Sequence, residues 1–314
     1  MSGSPFDGAR CLVTGGAGFI GSNLTAELLR RGARVTVLDN FATGTTGNLP
    51  RDARLLVREG DVASEPAVAD LVRDADYVFH LAAQVGNIKS IEQPGPDAAT
   101  NVLGTVRLLE ACRGTAVRKF VYSSSSAIFG EAVSLPIDES HPVNPASFYA
   151  LSKLTGERYA RLAAEIWDVP AVCLRYFNVF GEPMAPNEYS GVIWTFFDRL
   201  RRRLPLTIYG DGSQVRDFVF VGDVVRANLF AAERAKAGSV YNVGTGVATS
   251  ILDLARTMVA LTGVPSEIVF GNFRAGEVRR SVADISRALA ELGYEPQHDL
   301  ARGLGELWQA RKGQ

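Results

Sequence analysis

Tyr149 and Lys153 stand four residues apart in Tyr149-Ala150-Leu151-Ser152-Lys153, a spacing that sets a phenol and an ammonium on one helical face. A free phenol, with a pKa of about 10, is a poor base at neutral pH. A neighbouring cation stabilises the phenolate, so the pair can take a proton from a substrate hydroxyl. The chain has nine Tyr and five Lys among 314 residues. Chance would place roughly 0.14 such pairs in it, and no other Tyr is followed by Lys at this spacing. The bland alternative is an exposed helix with a harmless Tyr–Lys contact, and it loses weight because the pair lies inside an α/β region patterned to bind a nucleotide. Upstream, Phe120-Val121-Tyr122 reads as a strand ending in Ser123-Ser124-Ser125-Ser126. Hydroxyls at the carboxyl end of a strand lie where α/β sheets bind ligands. One of them can bond the reacting hydroxyl beside Tyr149; the residues alone leave open which, and a polar turn is the plain reading.

If hydride leaves the carbon whose hydroxyl loses its proton, a hydride acceptor is also needed, and the start of the chain offers a place for one. Cys11-Leu12-Val13-Thr14 is a buried-strand pattern, followed at once by Gly15-Gly16-Ala17-Gly18-Phe19-Ile20-Gly21. A helix pattern through Leu24, Leu28 and Leu29 then runs to Gly32, placed as its C-terminal cap. Glycines at 15, 18 and 21 permit a tight turn, a close approach of backbone to a pyrophosphate, and close helix–strand packing. The anion then sits on the positive end of the helix. The second strand ends in Val37-Leu38-Asp39, where a carboxylate can accept from both ribose hydroxyls and repels a 2′-phosphate, which favours NAD over NADP. Asp61-Val62 follows a third strand, where Asp61 either reaches an adenine or caps a helix.

These residues need a scaffold. Strand patterns at Arg10–Val13, Arg34–Leu38, Arg54–Glu59, Tyr77–Leu81, Lys119–Ser123 and Ala171–Tyr176 alternate with helical patterns at Gly18–Arg31, Glu65–Val72, Ala98–Arg113 and Ser147–Ile166. The expected fold is α/β, a Rossmann-type doubly wound parallel sheet with a smaller C-terminal substrate-binding lobe. Residues 1–180 form the NAD-binding part with the catalytic residues; residues 181–314 mainly form the lobe, with segments returning to the main sheet. Lys+Arg number 33 against 34 Asp+Glu, so no global field favours nucleic acid or an anionic membrane, and anionic ligands need local Arg and backbone N–H groups. Met1–Gly8 lacks a basic start and an apolar run, so it reads as no signal peptide, and no apolar run nears membrane-helix length. Cys11, Cys112 and Cys173 are scattered in apolar segments, which reads as three small core residues in a cytoplasmic protein without disulfide or metal site.

Taken together, the motifs resemble the NAD-dependent epimerase/dehydratase family of extended short-chain dehydrogenases/reductases, and within it the UDP-glucose 4-epimerase group. The resemblance runs through Thr14–Gly21, Asp39-Asn40, His80-Leu81-Ala82-Ala83, Asn101–Thr105, Ser123–Gly130, Tyr149–Lys153, Leu174–Gly181, Ile208–Gly212, Arg216-Asp217-Phe218 and Arg274–Glu277. It implies NAD contacts from Gly15, Gly18, Phe19, Ile20, Gly21, Asp39, Asn40, Asp61, Val62, Leu81, Ala82, Ala83, Asn101, Ser123, Tyr149, Lys153 and Phe177. It selects Ser125 as the catalytic hydroxyl, five positions before Gly130 of Ile128-Phe129-Gly130. It assigns Asn178, Arg216 and Arg274 to a nucleotide diphosphate, which a guanidinium grips through paired donors. Glu277 is the acid of the Arg-x-Gly-Glu motif; four residues on, a bulky Tyr of the hexose-specific enzymes is replaced by Ser281, which implies room for a 2-acetamido group.

The family's dehydratases carry Asp-Glu directly after the catalytic residue, and its decarboxylases a Glu; here Ser126-Ala127 stand there. The resemblance therefore implies reversible oxidation at C4 of a nucleotide-linked sugar, with Tyr149 as base, a transient 4-keto sugar swinging about its diphosphate, and no net redox. The alternatives are an epimerase acting at another carbon, a UDP-glucuronate 4-epimerase, a 4-keto reductase, and, in a different class, a non-catalytic NAD-sensing protein. The family also implies a homodimer through the apolar faces of Ala98–Arg113 and Ser147–Ile166.

Overall fold

The computed structural model describes residues 4–184, 191–273 and 278–311. In chain order the elements are β1 (Arg10–Thr14), α1 (Phe19–Arg30), β2 (Arg34–Asp39), β3 (Leu55–Glu59), α2 (Glu65–Arg73), β4 (Tyr77–His80), α3 (Asn87–Glu92), α4 (Pro94–Ala98), α5 (Gly104–Cys112), β5 (Lys119–Ser125), α6 (Phe148–Ile166) and β6 (Ala171–Tyr176). There follow β7 (Asn178–Phe180), α7 (Val192–Arg201), β8 (Leu206–Tyr209), β9 (Val215–Arg216), β10 (Phe218–Phe220), α8 (Val221–Arg234), β11 (Val240–Val243), β12 (Thr249–Ser250), α9 (Ile251–Thr262), β13 (Ile268–Gly271), β14 (Arg280–Ser281), α10 (Ser286–Leu292) and α11 (Leu300–Arg311).

Seven strands form one parallel sheet in the order β11-β6-β5-β4-β1-β2-β3. Parallel strands buried on both faces read as continuous apolar runs, which is why β4 and β6 are buried along their whole length. Leu24, Leu28 and Leu29 of α1 and Val224, Val225 and Leu229 of α8 fill one face. Val68 and Val72 of α2, Leu108, Leu109 and Cys112 of α5, and Ala160 and Ala163 of α6 fill the other. The strand order reverses between β1 and β4, and a crevice opens there at the carboxyl ends of the strands.

The chain beyond Gly181 is divided between two layers. α8 and β11 belong to the main sheet, whereas α7, α9 and α11 enclose a second core of Phe196, Phe197, Leu200, Leu254, Met258, Leu304 and Trp308. A small cluster of Ile128, Phe129, Ile137, Phe177 and Ala283 lies between the turn that follows β5 and β14. All three cysteines are buried, and burial pushes the Cys11 and Cys112 thiols up to about 12. Among the described residues no helix is long and apolar enough to cross a membrane.

Candidate active site

The glycine turn follows β1 directly. Gly15 has φ +69°, and a Cβ there would lie 2.7 Å from the Ala82 backbone nitrogen; a Cβ on Gly21 would run into the Gly15 carbonyl. Gly18 caps α1 without a side chain, so the first-turn N–H groups around Phe19, Ile20 and Gly21 face the turn and are ready for an anion. At the end of β2 the buried Asp39 carboxylate accepts from Ala17 N–H (2.9 Å) and Phe41 N–H (2.8 Å). A bare backbone cradle beside a fixed carboxylate suits a dinucleotide diphosphate with an unphosphorylated ribose. Asn40 donates to Asp61 (2.9 Å), which joins the ends of β2 and β3. Asp61 also accepts from Ala63 N–H (2.8 Å) in a tight turn; the N-cap of α2 is Ser64, so Asp61 is not the helix cap. Val62 is core, pressed under Gly104. Leu81 and Ala82 donate through N–H to Thr14, at 3.0 and 3.3 Å, and bring Ala83 past the turn.

The candidate proton-transfer residues gather across the crevice. Ser125, the last residue of β5, accepts from Ala127 N–H (3.2 Å), which leaves its own hydrogen to bear on Tyr149. Tyr149 lies in the first turn of α6, where Ser147 caps the helix by accepting from Ala150 N–H (3.1 Å). Burial raises the Tyr149 pKa, and the adjacent Ser125 hydroxyl pulls the other way. One turn on, Lys153 is buried with its Nζ 4.6 Å from the centroid of the Tyr122 ring. Burial pulls its pKa down to about 8, so it is still charged at neutral pH. Ser125, Tyr149 and Lys153 thus combine a hydroxyl donor, a phenol and a cation.

Three residues expected at the cofactor also have partners inside the protein. The Ser123 hydroxyl bonds Tyr176 (3.1 Å), whose own proton goes to Asn228 (2.9 Å). Asn101 is buried, and its amide reaches the Gln84 backbone, Asp97 (2.8 Å) and Ser152 (3.0 Å). Phe177 is core, packed near Phe129. On the lobe side, exposed Asn178 begins β7. Arg216 pairs with Ser281 across β9 and β14, and its guanidinium meets the Val215 and Arg279 carbonyls. Arg274 and Glu277 lie outside the described residues.

Some supporting residues were given no role in the sequence reading. Buried Asp217 accepts from Thr245 N–H and Oγ–H, Gly246 N–H and Ala283 N–H, which fixes Arg216 between β11 and β14. Buried Glu157 holds Arg175 through two bonds of 3.0 and 2.6 Å and accepts from Ser124 (2.7 Å), tying α6 to β5 and β6. Glu157 stands four residues after Lys153 and was findable from that spacing. Asp97 had no comparable signal, because α4 is only five residues long and too short to show a period, although Pro94 marks its start.

The comparisons agree with this geometry. The chain is 40% identical over 309 residues to the UDP-glucose 4-epimerase of Mycolicibacterium smegmatis, covering 95% of this chain and 96% of that protein. The solved UDP-glucose 4-epimerase of Thermotoga maritima, in complex with UDP-glucose, superposes with a TM-score of 0.93 at 37% identity, covering 97% of this chain and 99% of that one. The UDP-N-acetylglucosamine 4-epimerase of Methanobrevibacter ruminantium superposes with a TM-score of 0.92 at 32% identity, covering 96% and 98%. Residues 11–244, which hold the glycine turn, Ser125, Tyr149 and Lys153, match the description NAD dependent epimerase/dehydratase family, and the chain belongs to that family with NAD as its cofactor.

Proposed function

We propose that this chain interconverts the C4 epimers of UDP-linked hexoses, UDP-glucose with UDP-galactose and also the N-acetylhexosamine pair, as a cytoplasmic homodimer. The observation that carries the reading is the composition of the catalytic strand end. Ser125 and Tyr149 face one crevice, and the positions after Ser125 hold Ser126 and Ala127 at the start of a 3-10 turn, with no acid there to drive elimination. Tyr149 takes the proton of the 4-hydroxyl, Ser125 bonds the same oxygen, and the Lys153 charge steadies the phenolate. NAD held by the glycine turn after β1 and by Asp39 would supply the hydride acceptor for C4 and the donor for the return step. Asn178 and Arg216 hold the diphosphate fixed while the ring turns, and the small Ser281 beside Arg216 leaves room at C2.

The test is incubation of purified protein with UDP-glucose, UDP-GlcNAc and UDP-glucuronate without added cofactor, resolving C4 epimers by NMR. Conversion of UDP-glucose and UDP-GlcNAc is expected. Absence of any conversion by protein that retains NAD and an intact Tyr149 would overturn the reading.

A further inference from the structure

We propose that Asp97 is the counter-charge of Lys153, a buried positioning residue that keeps the ammonium charged and in place behind Tyr149. The inference rests on the epimerase reading only for its kinetic consequence. Four charged side chains are buried around this stretch of α6: Lys153, Glu157, Arg175 and Asp97. Glu157 and Arg175 close on each other at 2.6 Å and form a neutral unit. Lys153 has no carboxylate within ion-pair distance among the described residues, and the flat face of Tyr122 is the group beneath it. A lone buried ammonium is costly unless a compensating charge lies near.

Asp97 supplies that charge through a built cluster. It is 1% exposed, at the end of α4. Its carboxylate accepts from Asn101 (2.8 Å), and Asn101 in turn donates to the hydroxyl of Ser152, the residue before Lys153. The influence is mutual: Asp97 heads the charges that favour the Lys153 ammonium against burial, and burial pushes the Asp97 carboxyl up while the Lys153 charge opposes that rise. The other titratable groups here are His80 on β4, Tyr122 on β5, Cys173 on β6, and Tyr149 and Glu157 on α6. Burial keeps His80 neutral, and it raises the Tyr122 phenol and the Cys173 thiol well above their usual ranges, so none of these three competes as counter-charge at neutral pH.

Removing an opposite charge destabilises the ammonium, so Lys153 loses its proton at lower pH. Asp97 also disfavours the Tyr149 phenolate. Asp97→Asn, nearly the same shape without the charge, is therefore expected to move both limbs of the kcat–pH profile to lower pH, the alkaline limb by about one unit. At the alkaline end this is roughly a tenfold loss of kcat. A purely structural role would lower activity and leave the limbs in place, which would overturn the proposal.

A second readout needs no turnover. The chain has five Lys, so holoenzyme labelled with 13Cε-lysine gives few signals, and Lys153→Arg identifies the one from Lys153. Its titration midpoint should fall in Asp97→Asn, by the same unit or so. Coincident midpoints would refute the counter-charge even in a protein inactive on every UDP-sugar. Asp97→Ser carries the same test where the asparagine variant does not fold.

Discussion

His80 bonds Thr14 through Nδ1 (2.8 Å) and Thr105 through Nε2 (2.9 Å), deep between β1 and α5. The single Thr105 hydroxyl hydrogen goes to the Asn101 carbonyl (2.7 Å). Nε2 must therefore carry the ring hydrogen, while Nδ1 accepts from Thr14. Burial pulls this imidazole down to about 3, against an ordinary value near 6.5. Between those values the unfolded chain binds a proton that the folded one refuses, so the His80 contribution is complete above about pH 6.5 and is lost as pH falls toward 3. The loss is about 1.4 kcal/mol per pH unit in that window. Urea midpoints measured across it should fall more steeply with acid for the wild type than for His80→Gln. Parallel slopes would show that the ring takes up protons in the fold.

Between residues and molecule, α6 carries the greatest burden, because it presents Tyr149 and Lys153 to the site and Glu157 to the sheet. It can lie so close to β5 because of Gly156, where a Cβ would strike the Tyr122 hydroxyl and come within 3.2 Å of the Asn101 carbonyl. An alanine in a helix interior ordinarily gains about 1 kcal/mol over glycine. Gly156→Ala is expected to reverse that sign and cost about 1–3 kcal/mol through overpacking, read from thermal or urea unfolding. A stabilised variant would show that α6 has slack against β5. The neighbouring helix shows where sequence periodicity stops being informative. The pattern from Ala98 to Arg113 predicts one continuous helix, yet Ala99–Leu103 widens into a π turn before α5. Such turns occur often at functional sites, and this one places Asn101 inward. Periodicity sees which residues are apolar, not which side-chain amide is caught by the Gln84 backbone. β5 likewise runs two residues past the predicted Ser123, because Ser124 and Ser125 pair with Arg175 and Tyr176 on β6 while their polarity imitates a turn. Six of the seven main-sheet strands and the Tyr–Lys pair were legible because buried strands and a fixed spacing leave strong patterns, whereas β11, a four-residue strand far downstream, was not placed. The lobe was not legible, since β9, β12 and β14 are two residues each and carry no period.

At the scale of the whole molecule, the outer face of α6 bears on the proposed homodimer. Leu151, Tyr159, Leu162 and Ile166 are all at least 43% exposed at helical spacing, and Leu103 lies near the start of α5 with 44% exposed. A stripe of this kind on a helix already packed on its other side suits the isologous pairing proposed above. Wild-type protein should show twice the 33.8 kDa of the chain by light scattering, and Tyr159→Glu with Leu162→Glu should return it to the single mass. A wild type of single mass at micromolar concentration would remove the homodimer.

The place of β11 in the main sheet also orders events during synthesis. β6 is an edge until Val240–Val243 pairs with Cys173–Tyr176, and the chain from Phe177 to Ser239 must be made first. At ordinary elongation rates the unpaired backbone of β6 stays open for several seconds on the ribosome. The nucleotide-binding sheet is therefore completed by a strand that arrives after much of the lobe has emerged, which makes the two halves partners in assembly and not successive units.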